Sequence, residues 1–299
     1  MKRYTFAGNL LAVLALAPPI HADAEAPGRI TNLYDAFGAP EAALTQDWGY
    51  AALVEYDGKR ILFDTGNDAG ILERNLAALD LDLATLDAAI ISHRHGDHTS
   101  GLDYLLKVNP DVIIYAPQEG AFFRASLPGD FLTPAPGLPG DLRYFGGTYP
   151  DRIETGSPWP DANFSVVTET TEILPGFYVI SVESQKPGTV DMNELSLAIR
   201  TPRGLLVVVG CSHPGVEKIL EQAAEIDDRL YSVVGGFHLV RAPEPEVRRV
   251  ALMLRDELKI KRVAPAHCTS EPGFKVFLDL FKERFDRAGL GAEIEIPSD

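Results

Sequence analysis

The stretch LDAAIISHRHGDH, residues 86–98, decides how this chain is interpreted. Its first half is a compact apolar run, which predicts a buried strand. Side chains two residues apart on an extended segment point to the same side, so His93 and His95 can reach one cation. A turn after the second histidine aims Asp97 and His98 at a second cation, since paired catalytic metals lie about 3.5–4 Å apart. The pattern HxHxDH after a buried strand therefore predicts a metal site.

The remaining histidines beyond the first two dozen residues, and both cysteines, fall in short polar motifs that follow strand-like apolar runs. These motifs are Cys211-Ser212-His213, Gly235-Gly236-Phe237-His238 and Ala266-His267-Cys268. Histidines that merely fill a core would be scattered across helices and strands. Their clustering with thiols at the ends of apolar runs predicts a metal site that is catalytic.

Composition limits the classes of protein. The chain has 299 residues, of which 45% are hydrophobic and 23% charged, as in a folded globular protein. The formal net charge of −16 argues against binding to nucleic acid or anionic lipid. No GxGxxG loop or P-loop is found, so we expect a small-molecule substrate and no nucleotide cofactor. Oligomeric state is left open.

The amino terminus has the layout of a secretory signal peptide. A basic start, an apolar stretch and small residues predict cleavage within residues 1–24 and export to the periplasm or medium. An uncleaved anchor is the alternative, although the apolar stretch is short for a bilayer. No later segment can span a membrane, so we expect no membrane association after cleavage.

Residues 25–299 are predicted to form a single domain of the α/β (α+β) class. We expect strands at 51–56, 60–64, 86–91, 112–115, 196–200, 205–210, 232–234, 262–264 and 292–296. We expect helices at 67–78, 99–108, 215–226, 243–259 and 274–288. Each half repeats this alternation, which favours helices packed outside two sheets. The Pro/Gly-rich segment at about 127–163 is predicted to be a lid or insertion, with an interdomain linker as the alternative.

In these motifs the chain resembles the metallo-β-lactamase fold superfamily of metal-dependent hydrolases. The resemblance rests on residues 93–98 preceded by Phe63-Asp64-Thr65-Gly66. The motifs around Asn193-Glu194-Leu195, Cys211, His238 and His267 are similar to those of a subgroup named for a methanopterin-pathway dihydropteridine ribofuranosyl-aminobenzene phosphate synthase. The likeness spans roughly residues 29–297.

The resemblance implies a four-layer αβ/βα sandwich with the metal centre at one edge of two facing sheets. It implies His93 and His95 on one metal, and Asp97, His98 and His267 on the other. This chain departs from the pattern in two ways. It has no histidine from 99 to 212, where the superfamily has a third ligand for the first metal. It also has Cys211 where the superfamily has a bridging aspartate.

Five residues have more than one interpretation. The third ligand of the first metal is interpreted as His213, with His238 as the alternative. We otherwise interpret His238 as a proton donor, and a packed core histidine is the remaining alternative. Cys211 is interpreted as a metal ligand, as a residue packed beside the site, or as the partner of Cys268 in a disulfide. The role of Cys268 is left open. Asp64 is interpreted as orienting a metal ligand from beneath the site, with a helix cap as its alternative.

The predicted function is a binuclear metal-dependent hydrolase that uses metal-bound hydroxide on an ester, lactone or phosphoester, with Asp97 and His238 as catalytic residues. Two Zn²⁺ ions fit the histidine and thiolate set best, while Mn²⁺ or Fe also suit carboxylate and imidazole. The alternatives are an exported thiol- or metal-responsive binding protein and a mononuclear iron dioxygenase of the same fold. An exported protein would not meet a cytosolic pterin, so the pathway name of the subgroup is not carried over.

Overall fold

The structure is a computed structural model that describes Met1 and residues 27–38, 43–119, 122, 126–154 and 156–298. Apart from Met1, the predicted signal peptide lies outside these residues and stays a prediction. Within the described residues, no helix is both long enough and apolar enough to cross a membrane.

The described residues form fifteen strands and six α-helices. The strands are β1 (Gly28–Tyr34), β2 (Ala51–Tyr56), β3 (Lys59–Phe63), β4 (Ala88–Ile90), β5 (Ile114–Pro117), β6 (Ser126–Pro128), β7 (Arg152–Glu154), β8 (Phe164–Val167), β9 (Thr171–Leu174), β10 (Phe177–Glu183), β11 (Asn193–Thr201), β12 (Gly204–Val209), β13 (Leu230–Gly236), β14 (Arg262–Ala266) and β15 (Glu293–Ile296). The α-helices are α1 (Ala69–Ala78), α2 (Gly96–Thr99), α3 (Leu102–Val108), α4 (Val216–Ala223), α5 (Glu244–Leu252) and α6 (Glu271–Phe281).

The described strands form two large mixed sheets. One has the order β15-β1-β2-β3-β4-β5-β8 and the other β14-β13-β12-β11-β10-β9. In the first sheet β3, β4, β5 and β8 run parallel, and in the second β12, β13 and β14 run parallel. The carboxyl ends of parallel strands lie at the same edge of their sheet. Each sheet therefore gathers several strand-to-loop junctions at one edge.

Four layers follow from where the apolar side chains lie. Along β12, Leu206 and Val208 face the core between the two sheets. Their neighbours Val207 and Val209 face an outer core formed with α4, α5 and α6. A third cluster joins the first sheet to α1 and α3. Because side chains alternate along a strand, an apolar residue at every position buries both faces of the sheet under separate layers. The expected four-layer αβ/βα sandwich is confirmed.

Local chemistry explains most helix boundaries. The Asp68 side chain accepts a hydrogen bond from the Ile71 amide (2.8 Å) and caps α1. The helix predicted at 99–108 is interrupted at Gly101, where a Cβ would lie 2.1 Å from the Thr65 carbonyl oxygen. The helix predicted at 274–288 is placed wrongly at both ends. It begins at Glu271 behind the Ser270 cap and ends where Lys282 takes a positive φ of 53°.

The Pro/Gly-rich segment at about 127–163 lies between β5 and β8, which are neighbours in one sheet. It contains a short ribbon of β6 and β7 with 3-10 turns between them. The chain leaves β5 at the edge where β4 also ends, because the two strands are parallel. Its role as a lid stays a prediction.

Candidate metal centre

Five of the site residues predicted from the sequence lie within three residues after the end of a strand. Asp64 comes after β3 and His93 shortly after β4 in the first sheet, while Cys211, His238 and His267 come after β12, β13 and β14 in the second. A hydrogen bond from the Leu195 amide to the Ser92 carbonyl oxygen (2.8 Å) joins the two sheets at this edge. Parallel strand direction in both sheets therefore brings these distant motifs to one place.

The first group of candidate ligands is His93, His95, His213 and Cys211. Nε2 of His93 lies 3.1 Å from Nδ1 of His95. The ring of His213 lies 4.6 Å from that of His93 and 4.9 Å from that of His95, between centroids. The donor atoms of His93, Cys211 and His213 lie within 4.8 Å of one another, and all three residues are buried. His213, two residues after Cys211, is therefore close enough to His93 and Cys211 to serve as a third histidine of this group.

The second group is Asp97, His98, His267 and again Cys211. Oδ2 of Asp97 lies 3.4 Å from Nε2 of His267 and 3.8 Å from Nε2 of His98. Nε2 of His98 lies 3.2 Å from Sγ of Cys211. The donor atoms of His98, Cys211 and His267 lie within 4.8 Å of one another. Because α2 begins directly after His95, the chain turns between the two groups as the sequence predicts, and Cys211 is common to both.

Asp64 lies beneath the site and holds two histidines in place. Its Oδ2 accepts from Nδ1 of His98 (2.7 Å) and from the Ser92 hydroxyl (2.7 Å), and its Oδ1 accepts from the Ser92 amide (2.7 Å). The Ser92 oxygen in turn lies 2.8 Å from Nδ1 of His93. With Nδ1 of each ring engaged, both Nε2 atoms face the centre as lone-pair donors. The alternative of a helix cap is wrong, because Asp68 caps the helix instead.

Glu194 performs the same task for His213, a role that the sequence motifs did not predict. Its carboxylate accepts from Nδ1 of His213 (2.9 Å) and from the backbone amides of Cys211 (2.9 Å), Ser212 (2.6 Å) and His213 (2.7 Å). Burial alone would raise the pKa of this fully buried carboxyl, but its bonds to His213 and then to the Ser212 amide keep the pKa below its ordinary value. The sequence feature that could have indicated this role is a charged residue near the start of the apolar strand β11.

His267 is positioned by its backbone rather than its ring. Its amide donates to the buried carboxylate of Asp35 (3.1 Å), and Trp48 packs against the imidazole with centroids 4.9 Å apart. Burial raises the pKa of Asp35 to about 7, against the opposing influence of His267. Both ring nitrogens of His267 are buried, and neither has a hydrogen-bond partner among the described residues. Nothing in the sequence pattern pointed to Asp35.

The electrostatics of the pocket differ between the two groups. Burial alone would lower the pKa of His98, but the Asp64 carboxylate outweighs burial and raises the pKa to about 9. Burial, followed by the neighbouring imidazoles, lowers the pKa of His93 well below its ordinary value. Burial raises the pKa of the Cys211 thiol well above its ordinary value.

Backbone strain is concentrated at these strand ends. Asp64, Ser212, His238 and His267 have φ values of 58°, 62°, 48° and 44°. Side chains other than glycine rarely adopt positive φ, and such residues persist where the surrounding structure holds them, often at functional sites. The loops here are shaped to aim side chains at the centre rather than for the lowest backbone energy.

His238 and Cys268 lie at the side of the centre. The ring of His238 is 4.3 Å from that of His213, and the residue is exposed. A hydrogen bond with Cys268 raises its pKa above the ordinary value. Both cysteines are free, so the disulfide alternative is not formed. Geometry therefore favours His213 over His238 for the first group.

Several aromatic residues could line a substrate pocket beside the candidate metal centre, and two of them lie close to it. Trp48 and Tyr50 lie beside His267, with ring centroids 4.9 and 6.4 Å from it. Phe122 and Trp159 instead pack in the cluster between the first sheet and its helices. Tyr144 and Phe145 are exposed, and Phe123 lies outside the described residues.

The residues present fit a pair of metal ions. Three buried imidazoles turn Nε2 inward, His267 has unpartnered nitrogens, and a thiol and a carboxylate complete the donors. Burying several polar side chains away from water is costly unless they are paired, and a cation would satisfy them together. Neutral imidazole, thiolate and carboxylate are also the ligands that zinc binds in proteins.

Comparison with known proteins agrees with this geometry. The profile of the Metallo-beta-lactamase superfamily matches residues 45–267. The chain belongs to this superfamily. Among superfamily structures, Tm1679, a metal-dependent hydrolase of the beta-lactamase superfamily, superposes with a TM-score of 0.69 and 26% identity, covering 91% of this chain and 100% of that one. YhfI from Bacillus subtilis, a metallo-beta-lactamase fold protein, has a TM-score of 0.52 at 13% identity over 90% of this chain and 100% of its own, and shows the fold alone.

One curated relative is similar to this chain over nearly the whole length of both proteins. The 7,8-dihydropterin-6-methyl-4-(beta-D-ribofuranosyl)-aminobenzene-5'-phosphate synthase of Methanocaldococcus jannaschii is 27% identical over 296 residues, covering 89% of this chain and 96% of the relative. The expected superfamily is therefore confirmed, together with the likeness to the synthase subgroup. The name of this relative describes a synthase rather than a hydrolase.

The Asp64→Asn variant is expected to bind metal about 10- to 100-fold more weakly, because the carboxylate that orients His98 and Ser92 is lost. Equilibrium dialysis against a metal buffer measures the change. Asp68→Asn is the matched control, since Asp68 is an exposed aspartate four residues on that only caps α1. Equal affinities in the two variants would contradict the role given to Asp64.

Proposed function

We propose that this protein is a binuclear metal-dependent hydrolase. The observation that carries the proposal is the pair of buried donor groups that share Cys211. In this proposal His93, His95 and His213 would hold one metal, Asp97, His98 and His267 would hold the other, and Cys211 lies close enough to both groups to act as a ligand. Two ions placed there would lower the pKa of a water towards about 7 and polarise a substrate oxygen. Zn²⁺ suits this donor set best, and Mn²⁺ or Fe are the alternatives.

The chain's own residues would complete the reaction. Asp97 is partly exposed at the mouth of the centre and lies near both His98 and His267. Burial opposes ionisation of its carboxyl, but the nearby imidazoles of His267 and His98 keep the pKa below its ordinary value. Asp97 is then positioned to accept a proton from the attacking nucleophile. His238, exposed beside His213, would hold a proton for the leaving group.

The substrate class in this proposal is an ester, lactone or phosphoester of a small molecule. The acidic chain, with its net charge of −16, would not attract an anion over long range, so recognition would be local. Trp48 is 45% exposed beside His267 and offers an apolar surface at the mouth. Export through the signal peptide remains part of the proposal, and it would place such a substrate outside the cytoplasm.

Group transfer to an acceptor other than water is the second candidate. The relative from Methanocaldococcus jannaschii is named as a synthase and matches this chain over 89% of its length. The same donor groups would serve both reactions, since only the nucleophile differs. A reaction mixture containing an amine or alcohol acceptor therefore belongs in the test.

The test combines metal analysis with a screen of carboxyl and phosphoryl esters. We expect about two metal ions per chain and hydrolysis of at least one ester class, both lost after chelation and restored by Zn²⁺. His95→Ala should bind one ion fewer and lose hydrolysis. A full complement of metal with no hydrolysis or transfer would support the binding-protein alternative, and iron with oxygen uptake would support the dioxygenase.

A further inference from the structure

A third set of soft ligands adjoins the two groups of the proposed centre. Sγ of Cys211, a ring nitrogen of His238 and Sγ of Cys268 lie within 4.8 Å of one another. Cys211 and Cys268 are 4% and 2% exposed, while His238 is open to solvent. The hydrolytic role proposed above makes no use of the Cys268 thiol. The set therefore requires its own explanation.

The backbone of β13 makes room for the Cys268 sulfur. A Cβ at Gly236 would lie 2.8 Å from Cys268 Sγ and 2.5 Å from the Gly210 carbonyl oxygen. Cys268 Sγ lies 3.6 Å from the Cys211 carbonyl oxygen, a weak contact for a thiol. His238, two residues after Gly236, has a strained positive φ of 48°. Its ring lies close to the two sulfurs. The sulfurs and the imidazole thus converge from the ends of three neighbouring strands, β12, β13 and β14.

The chemistry of this set differs from that of the histidine groups. Zn–S and Zn–N bonds of about 2.3 and 2.0–2.1 Å place tetrahedral ligands roughly 3.5–4 Å apart, so donors within 4.8 Å need to contract only slightly. Two sulfurs and one imidazole favour soft, thiophilic cations over Mg²⁺, Ca²⁺ or Mn²⁺. The sulfurs bind as thiolates, so any proton that a thiol carries is released to solvent on binding.

We propose that Cys211, His238 and Cys268 form a sulfur-rich cation position that takes a thiophilic ion such as Cd²⁺, Cu⁺ or Zn²⁺. The position shares Cys211 with the two histidine groups and opens to solvent through His238. A cation held there occupies the imidazole that would otherwise hold a proton for the leaving group. Thiophilic ions in excess therefore slow hydrolysis, a consequence that rests on the proposed function, whereas the binding itself does not.

Cadmium titration of the full-length apoprotein tests the position. Equilibrium dialysis counts bound Cd²⁺, and the ultraviolet cadmium–thiolate absorption band counts bound sulfur. We expect Cys268→Ser to bind about one ion fewer than the wild type and to lose about half of the thiolate band. His238→Ala should keep the band but bind the last ion more weakly. An unchanged ion count and an unchanged band in Cys268→Ser would overturn the proposal.

Two further measurements keep the outcome decisive. Cadmium-113 NMR of the wild type needs no variant, and we expect one resonance shifted as for two sulfur ligands. A spectrum in which every resonance reports at most one sulfur would contradict the site even if Cys268→Ser failed to fold. Ester hydrolysis with zinc is assayed in parallel, so loss of the sulfur-rich position and failure of the proposed hydrolase are read from separate experiments.

Discussion

Replacing His213 with alanine is expected to weaken binding of one metal ion by at least about 100-fold and to abolish hydrolysis, whereas His238→Ala keeps both ions of the histidine groups. The physical reason is geometric. Nδ1 of His213 is held by Glu194, so its Nε2 faces His93 and Cys211 from a buried position. His238 is exposed and has no such carboxylate partner among the described residues.

Metal content by elemental analysis after dialysis measures this contrast, with zinc supplied at a buffered concentration. Circular dichroism of both variants checks that each is folded. If His238→Ala lost an ion and His213→Ala retained both, the assignment of the missing ligand would have to be exchanged between them. The two histidines are near neighbours, with centroids 4.3 Å apart, so the pair is a stringent comparison.

The Glu194→Gln variant is expected to lose about 3–5 kcal/mol of the free energy of unfolding, the usual cost of removing one partner from a buried charged network. The carboxylate serves three backbone amides and one imidazole at once. An amide of the same size keeps one acceptor oxygen and turns an NH₂ group towards donors. Urea unfolding of the apoprotein measures the difference without a contribution from bound metal.

Glu221→Gln is the matched control for that measurement. Glu221 is an exposed residue of α4, so the same change of charge should alter the unfolding free energy by less than about 0.5 kcal/mol. Metal affinity should fall in Glu194→Gln as well, since His213 loses its orienting partner. A Glu194→Gln variant as stable as the control would show that the buried carboxylate has no structural role.

The sequence determined the fold and the first half of the site. Alternation of apolar runs predicted two sheets covered by helices, because strands buried on both faces read as continuous hydrophobic segments. The HxHxDH motif is local, so the spacing of His93 and His95 on extended chain fixed their common direction, and the turn before Asp97 fixed the second group. Asp64 was identified as an orienting residue through the Phe63-Asp64-Thr65-Gly66 motif, which carries part of the resemblance to the superfamily.

Only the tertiary structure decided between residues supplied by other strands. The choice of His213 over His238 depends on how β12 and β13 lie side by side, and their sequence distance from His93 says nothing about it. Glu194 and Asp35 act through hydrogen bonds to the chain around His213 and to the amide of His267, and such bonds leave no periodic trace in a sequence. Sequence spacing fixes contacts within one segment, whereas contacts between segments are fixed by strand direction and register in the folded sheets.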